Sequence, residues 1–232
     1  YMINLALSNK NGDIYEIESH RMVVASGATY RIPSENEMIP LPAYSHVFYL
    51  PGTSAVILKD SGRFTRLDKS IFKDKLYPIA AFLPPGYLRL LLPAYKKNNT
   101  RNFPLWAYTA AGIRNNKFCA AALKIDSNPL WNPASYDDRI LEKKIRKRTA
   151  GGKNRLLKQL KYCALNYHCF TAKNVFLEKN ECAIPVSKFC NASCAGCISS
   201  GDSFGFPASQ HRIDFTPGVD EILEVALYHI KN

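Results

Sequence analysis

Apolar and polar residues alternate with period two near the start of the chain, and that alternation predicts strands. Residues 3–7 and 14–17 flank Ser8-Asn9-Lys10-Asn11-Gly12-Asp13, whose Asn-Gly pair tolerates the positive φ angles of a hairpin turn. Residues 47–50, Pro51-Gly52, residues 55–58 and Lys59-Asp60-Ser61-Gly62 repeat the arrangement, with β-branched and aromatic residues between breakers. From 77 to 135 the pattern changes to prolines and aromatics, as in Leu83-Pro84-Pro85-Gly86-Tyr87, Phe103-Pro104-Leu105-Trp106 and Asn128-Pro129-Leu130-Trp131. Proline removes a backbone donor and fixes φ, so this region reads as extended or looped chain packed by aromatics rather than as long helices. Filling an irregular core is the plain role for these rings, and lining a peptide groove is the alternative.

Near Tyr136 the period becomes helical. Residues 137–149 and 153–166 read as two helices around Ala150-Gly151-Gly152, with Ile140, Leu141 and Ile145 on one and Leu156, Leu157, Leu160 and Ala164 on the other. A last helix follows Thr216, which can cap it, with Pro217 at its first position and Asp220 and Glu221 near its positive end. Val219, Ile222, Leu223, Ala226, Leu227 and Ile230 form its apolar stripe. Between these helices, residues 182–187 read as a short buried strand.

Composition narrows the class. The 232 residues are 47% hydrophobic and 22% charged, values of a folded globular chain rather than a disordered one. The most apolar stretch, residues 77–95, is interrupted by Pro78, Pro84, Pro85, Gly86 and Arg89 and offers no membrane helix. Thirty-one Lys and Arg against nineteen Asp and Glu give a net charge of +12. Ten of these cations, Arg139, Lys143, Lys144, Arg146, Lys147, Arg148, Lys153, Arg155, Lys158 and Lys161, fall in residues 139–161 against Glu142 alone. Such a run is either a solvated helical face or a surface for RNA or DNA phosphates. His20 and His46 stand alone, and Gly151-Gly152-Lys153 lacks the rest of a phosphate loop.

Seven cysteines, an odd number without a secretory signal, argue against a disulfide framework and for a reducing, cytoplasmic setting. Three of them, Cys190, Cys194 and Cys197, have C-x-x-x-C-x-x-C spacing in one short stretch. Thiolates are soft ligands that select iron–sulfur clusters, zinc or Cu(I), and this spacing lets one loop aim all three sulfurs at one point. Zinc structural sites and ferredoxin-type clusters take four protein ligands, so a local set of three suggests a metal position open to substrate. Cys163, Cys169 and Cys182 read as packing residues, with a fourth zinc ligand or a second cluster as the alternative.

Strand, Cys190-x-x-x-Cys194-x-x-Cys197 loop and amphipathic helix together resemble the opening of a radical S-adenosylmethionine (radical SAM) enzyme. Cys169-Phe170-Thr171-Ala172-Lys173-Asn174 and the residues around the motif look like an uncharacterised bacterial subgroup with a long N-terminal extension. The resemblance implies that Cys190, Cys194 and Cys197 hold a 4Fe-4S cluster whose fourth iron binds S-adenosylmethionine. It also implies reductive cleavage to a 5'-deoxyadenosyl radical that abstracts hydrogen from a substrate, and an electron donor such as flavodoxin or ferredoxin. Gly196 stands where most of the superfamily has an aromatic residue that helps seat adenine. The expected fold class is α+β: a β-rich N-terminal domain over 1–135, a basic helical connector over 136–180, and the first β/α unit of a partial TIM-type barrel over 181–232. The family's remaining cofactor contacts come from later strands, so the chain is expected to be incomplete and inactive by itself. A zinc or structural iron–sulfur module and a basic RNA-binding protein, contacting nucleic acid through residues 139–161, are the competing readings.

Overall fold

A computed structural model describes residues 2–68, 72, 74–98, 108–179, 181–192 and 213–230. The chain divides into two compact units, Tyr1–Ser127 and Asn128–Asn232. Strands fill the described part of the first and helices that of the second, which makes the fold α+β.

In the first unit an antiparallel eight-stranded sheet has the order β10-β14-β13-β1-β9-β6, with β2 added on β1 and β5 on β14. These strands are β1 (Asn4–Ser8), β2 (Ile14–Arg21), β5 (Met38–Pro40), β6 (His46–Tyr49), β9 (Tyr77–Phe82), β10 (Tyr87–Arg89), β13 (Tyr108–Arg114) and β14 (Lys117–Lys124). Two three-stranded sheets accompany it. One orders β11 (Leu92–Pro93), β3 (Val24–Ser26) and β4 (Thr29–Arg31); the other orders β12 (Tyr95–Lys97), β7 (Thr53–Leu58) and β8 (Phe64–Arg66).

The first hairpin forms as its sequence predicts. Asn9 Oδ1 accepts from the amides of Asn11 and Asp13, and Gly12 takes φ +93°, a left-handed value that glycine adopts without strain. The second pair differs from expectation: β6 pairs with β9, while β7 pairs with β8 and β12. The region expected to be extended or looped chain is extended, and it holds the two long central strands, β13 and β14. They are joined by Asn115-Asn116, both at positive φ, a two-residue turn whose twist suits a hairpin. Their Ala110, Ala111, Ala120, Ala121 and Ala122 are buried on both faces, so neighbouring layers approach closely. Gly112 marks the tightest point, where an added Cβ would lie 2.7 Å from Met22 Sδ and 2.9 Å from the Asn4 carbonyl oxygen. Of the aromatics in this region, Phe48, Phe82 and Tyr108 pack edge to face; residues 103–106 lie outside the described residues.

The second unit contains α1 (Asp138–Thr149), α2 (Arg155–Asn166), α3 (Phe170–Leu177) and α4 (Val219–Ile230). Asp137 caps α1 by accepting from the amides of Arg139 and Ile140, and Asn154 caps α2 by accepting from Leu157. One core joins all four helices through Leu141, Ile145, Leu157, Leu160, Val175, Phe176 and Val225. The helix α3 has no counterpart in the sequence reading, because its buried positions include Lys173 and Asn174. Lys173 pairs with Asp138 at 2.8 Å, and Asn174 accepts from the Tyr136 hydroxyl at 2.7 Å.

Two expectations are corrected here. Residues 182–187 form no strand: the described part of this unit offers no neighbouring strand to pair with, and Pro185 lacks an amide donor. The helix α4 packs by one edge of its apolar stripe, through Ile222, together with Val225, which lies outside the stripe. Val225 is fully buried, whereas Val219, Leu223, Leu227 and Ile230 are 71, 47, 49 and 78% exposed. The cap also shifts from Thr216 to Gly218, whose carbonyl accepts from Ile222 and whose amide donates to Glu221 Oε2 at 2.8 Å.

Candidate functional site

A polar and ionic frame ties the helices of the second unit together. Half-buried Arg148 on α1 donates to the carbonyls of Val175 (2.6 Å) and Val225 (3.3 Å), and its guanidinium lies 3.7 Å from the centre of the Tyr228 ring. Burial pulls its pKa down, against the attraction of Tyr228, Glu224 and Glu178. The Tyr228 hydroxyl donates to Glu178 at 2.9 Å, and Lys144 meets the other carboxylate oxygen at 3.0 Å. A second tie joins the N-termini of α2 and α4. Arg155 grips Glu221 through Nε (3.0 Å) and a terminal nitrogen (2.7 Å), and the Arg155 and Gly218 amides donate to the same carboxylate. These donors, the Arg155 side chain first, lower the Glu221 pKa from the usual 4.5 to about 2.

The segment leading to the motif packs on the helical core instead. Ala183, Ile184 and Pro185 close a cavity of about 160 Å³ whose other walls include Leu160, Cys163 and Cys169. Its lining is mainly apolar, with Gln159 and Thr171 as the polar members. The buried Cys163 sulfur accepts from Gln159 at 3.7 Å, and the Cys169 sulfur lies 3.1 Å from the Thr171 hydroxyl. Cys182 is half-buried against the same core, and burial pushes its thiol pKa up even though Arg148 opposes the shift. Cys163 and Cys169 are thus packed in the helical core and Cys182 lies partly buried against it. No group of three or more His, Cys, Asp or Glu among the described residues could hold a metal.

Cys190 differs from all of these. It is free and exposed, past the exposed Ser187, Lys188 and Phe189, and Phe189 is 76% exposed. A ligating thiolate must reach a metal that core packing would exclude, and Cys190 is the described motif cysteine that meets this requirement. Cys194, Gly196 and Cys197 lie outside the described residues. In the first unit Cys119 is buried in the sheet core, and burial pushes its thiol up to about 11, a neutral packing group. His20 contacts the neighbouring Ser19 hydroxyl and His46 stacks near Phe48, outside any metal-binding group.

The basic run divides into two sets, a distinction invisible in the composition. Arg139, Lys144, Arg146 and Arg155 are ion-paired and Arg148 is tied to carbonyls. Lys143, Lys147, Lys153, Lys158 and Lys161 are exposed and make no hydrogen bond or ion pair among the described residues. No helix of the described residues is long and apolar enough to cross a membrane. Comparison with protein-family models, curated proteins and solved structures gives no match to this chain.

Proposed function

We propose that this chain carries the cluster loop of a radical SAM enzyme, with Cys190, Cys194 and Cys197 as the ligands of a 4Fe-4S cluster. The C-x-x-x-C-x-x-C spacing carries this reading. Three adjacent soft donors match such a cluster, and the exposure of Cys190 keeps its sulfur available where Cys119, Cys163 and Cys169 are enclosed. When bound, the cluster and S-adenosylmethionine supply one-electron cleavage of the sulfonium and a carbon radical that abstracts substrate hydrogen. The chain's own residues present the thiolates and anchor the loop. Ile184 and Pro185 seat the residues before Cys190 against α2, and Arg148 and Arg155 hold α4 to the other helices. On the same reading, α4 is the helix that follows the cluster loop, and the chain entering that loop at residues 182–187 is not a strand.

Reconstitution with ferrous iron and sulfide under exclusion of oxygen tests the ligand assignment. The expected product is brown, with a broad sulfur-to-iron charge-transfer band, and replacing Cys190, Cys194 or Cys197 by Ala abolishes the band. A colourless protein holding stoichiometric zinc would overturn the proposal in favour of a structural metal module.

A further inference from the structure

The exposed lysines of α1, α2 and the turn between them are a feature that the cluster reading does not use. Lys143 and Lys147 are one turn apart on exposed α1, and Lys158 and Lys161 are likewise one turn apart on exposed α2. Between the helices, Lys153 and Lys158 line a cavity of about 260 Å³ together with Arg148, Gly151 and Gly152. Glu224 also lines it, with its carboxylate accepting from Asn154 at 2.8 Å, so the floor of the cavity repels an anion while its lysines attract one. Beside Lys158 and Lys161 stands Tyr162, 46% exposed, its ring held edge to face against Tyr167 at 5.5 Å.

We infer that this face binds single-stranded nucleic acid, with phosphates tracking Lys143, Lys147, Lys153, Lys158 and Lys161 and a base stacking on Tyr162. Three observations select this partner. The unpaired cations are all lysines, point charges on flexible stems that follow an irregular phosphate backbone without requiring fixed geometry. An exposed aromatic ring braced by a second ring, next to two such lysines, is the pairing of charge and stacking surface used for single strands. An acidic protein fits poorly, because stable protein interfaces need an apolar centre. Ile140 and Tyr162 are the exposed large apolar residues among the described residues of α1 and α2. The inference is independent of the cluster assignment.

Fluorescence anisotropy of the full chain with a labelled single-stranded RNA oligonucleotide provides the test. Five phosphate contacts predict that affinity falls about 100-fold between 50 and 200 mM salt, from a slope of about −0.7 per contact. Combined replacement of the five lysines by Ala flattens this dependence while circular dichroism stays native. Tyr162→Ala weakens binding by about tenfold with the salt slope unchanged, and Tyr162→Phe restores it. Binding by the five-lysine variant equal to that of the parent, no binding at 50 mM salt, or competition by polyglutamate as effective as by unlabelled RNA would each overturn the inference. The last result would assign the face to acidic protein instead.

Discussion

The two units solve the problem of a close-packed interior by opposite means. In the first, small residues on β13 and β14 bring backbones together, and the buried hydroxyls of Thr53 and Thr109 donate to backbone carbonyls rather than to charged partners. In the second, charged and amide side chains cross between helices. Arg148 reaches two carbonyls, Asn154 donates to the Glu221 carbonyl and to Glu224, Lys173 is buried on Asp138, and Arg155 grips Glu221. Antiparallel strands satisfy their backbone donors and acceptors in the ladder, whereas four short helices leave terminal carbonyls and amides that side chains must satisfy. The helical unit is therefore the one sensitive to loss of single polar groups, while each unit holds an acid-sensitive carboxylate, Glu37 in the first and Glu221 in the second. The sheet unit is the one sensitive to added volume.

The largest expected effect breaks the helical unit through its core. Phe176→Ala empties a fully enclosed position and costs about 3–5 kcal/mol. Amide hydrogen exchange resolved by peptide should show lost protection over α1–α4 with β13 and β14 still protected; equal loss in both units would refute their independence. Next is Gly112→Ala, costing about 1–3 kcal/mol because the new methyl meets the Asn4 carbonyl as well as movable side chains. Here the protection lost is that of β1 and β13, and an unchanged melting temperature would contradict the close packing described. Comparable in size, Arg148→Met removes two charge-assisted hydrogen bonds at a cost of about 1.5–3 kcal/mol, and Arg148→Lys recovers part of it.

The smallest effect depends on pH. Glu221 has a folded value of about 2, below its usual 4.5, so folding disfavours its protonation. Its stabilising contribution is complete above pH 4.5 and disappears as the pH falls through about 2. Protection of α4 should decline over that window in the parent, and Glu221→Gln should start lower and lose the pH dependence. In the first unit, Glu37 is likewise lowered to about 2 by Arg31 and Ser34, and its own acid response should survive Glu221→Gln.

How much of this was legible in the sequence varied with the kind of signal. Alternation around Asn-Gly placed β1 and β2, and the 3.6-residue period broken by Ala150-Gly151-Gly152 placed α1 and α2 to within about two residues. The strands β13 and β14 escaped because alanine and glycine carry little strand preference, and burial on both faces erases alternation; Asn115-Asn116 between two apolar runs was the available signal. For α4 the spacing identified the helix but not the face, because Arg148, Arg155 and Asn154 pull the side bearing Glu221, Val225 and Tyr228 inward. No periodicity encodes that polar docking. At the candidate site, the motif spacing was readable at once, whereas the burial of Cys163 and Cys169 needed the helical core to be built. The division of the basic run into paired and unpaired cations needed three-dimensional partners such as Glu178 and Glu221, distant in sequence.

Iron and sulfide analysis of the anaerobically reconstituted chain tests the cluster assignment most directly, taken cysteine by cysteine. The prediction is about four irons and four sulfides per chain, retained when Cys163, Cys169 and Cys182 are together replaced by Ser and lost when Cys190 alone is replaced by Ala. A full cluster in the Cys190→Ala variant, or its loss in the triple variant with the helices intact, would contradict the assignment.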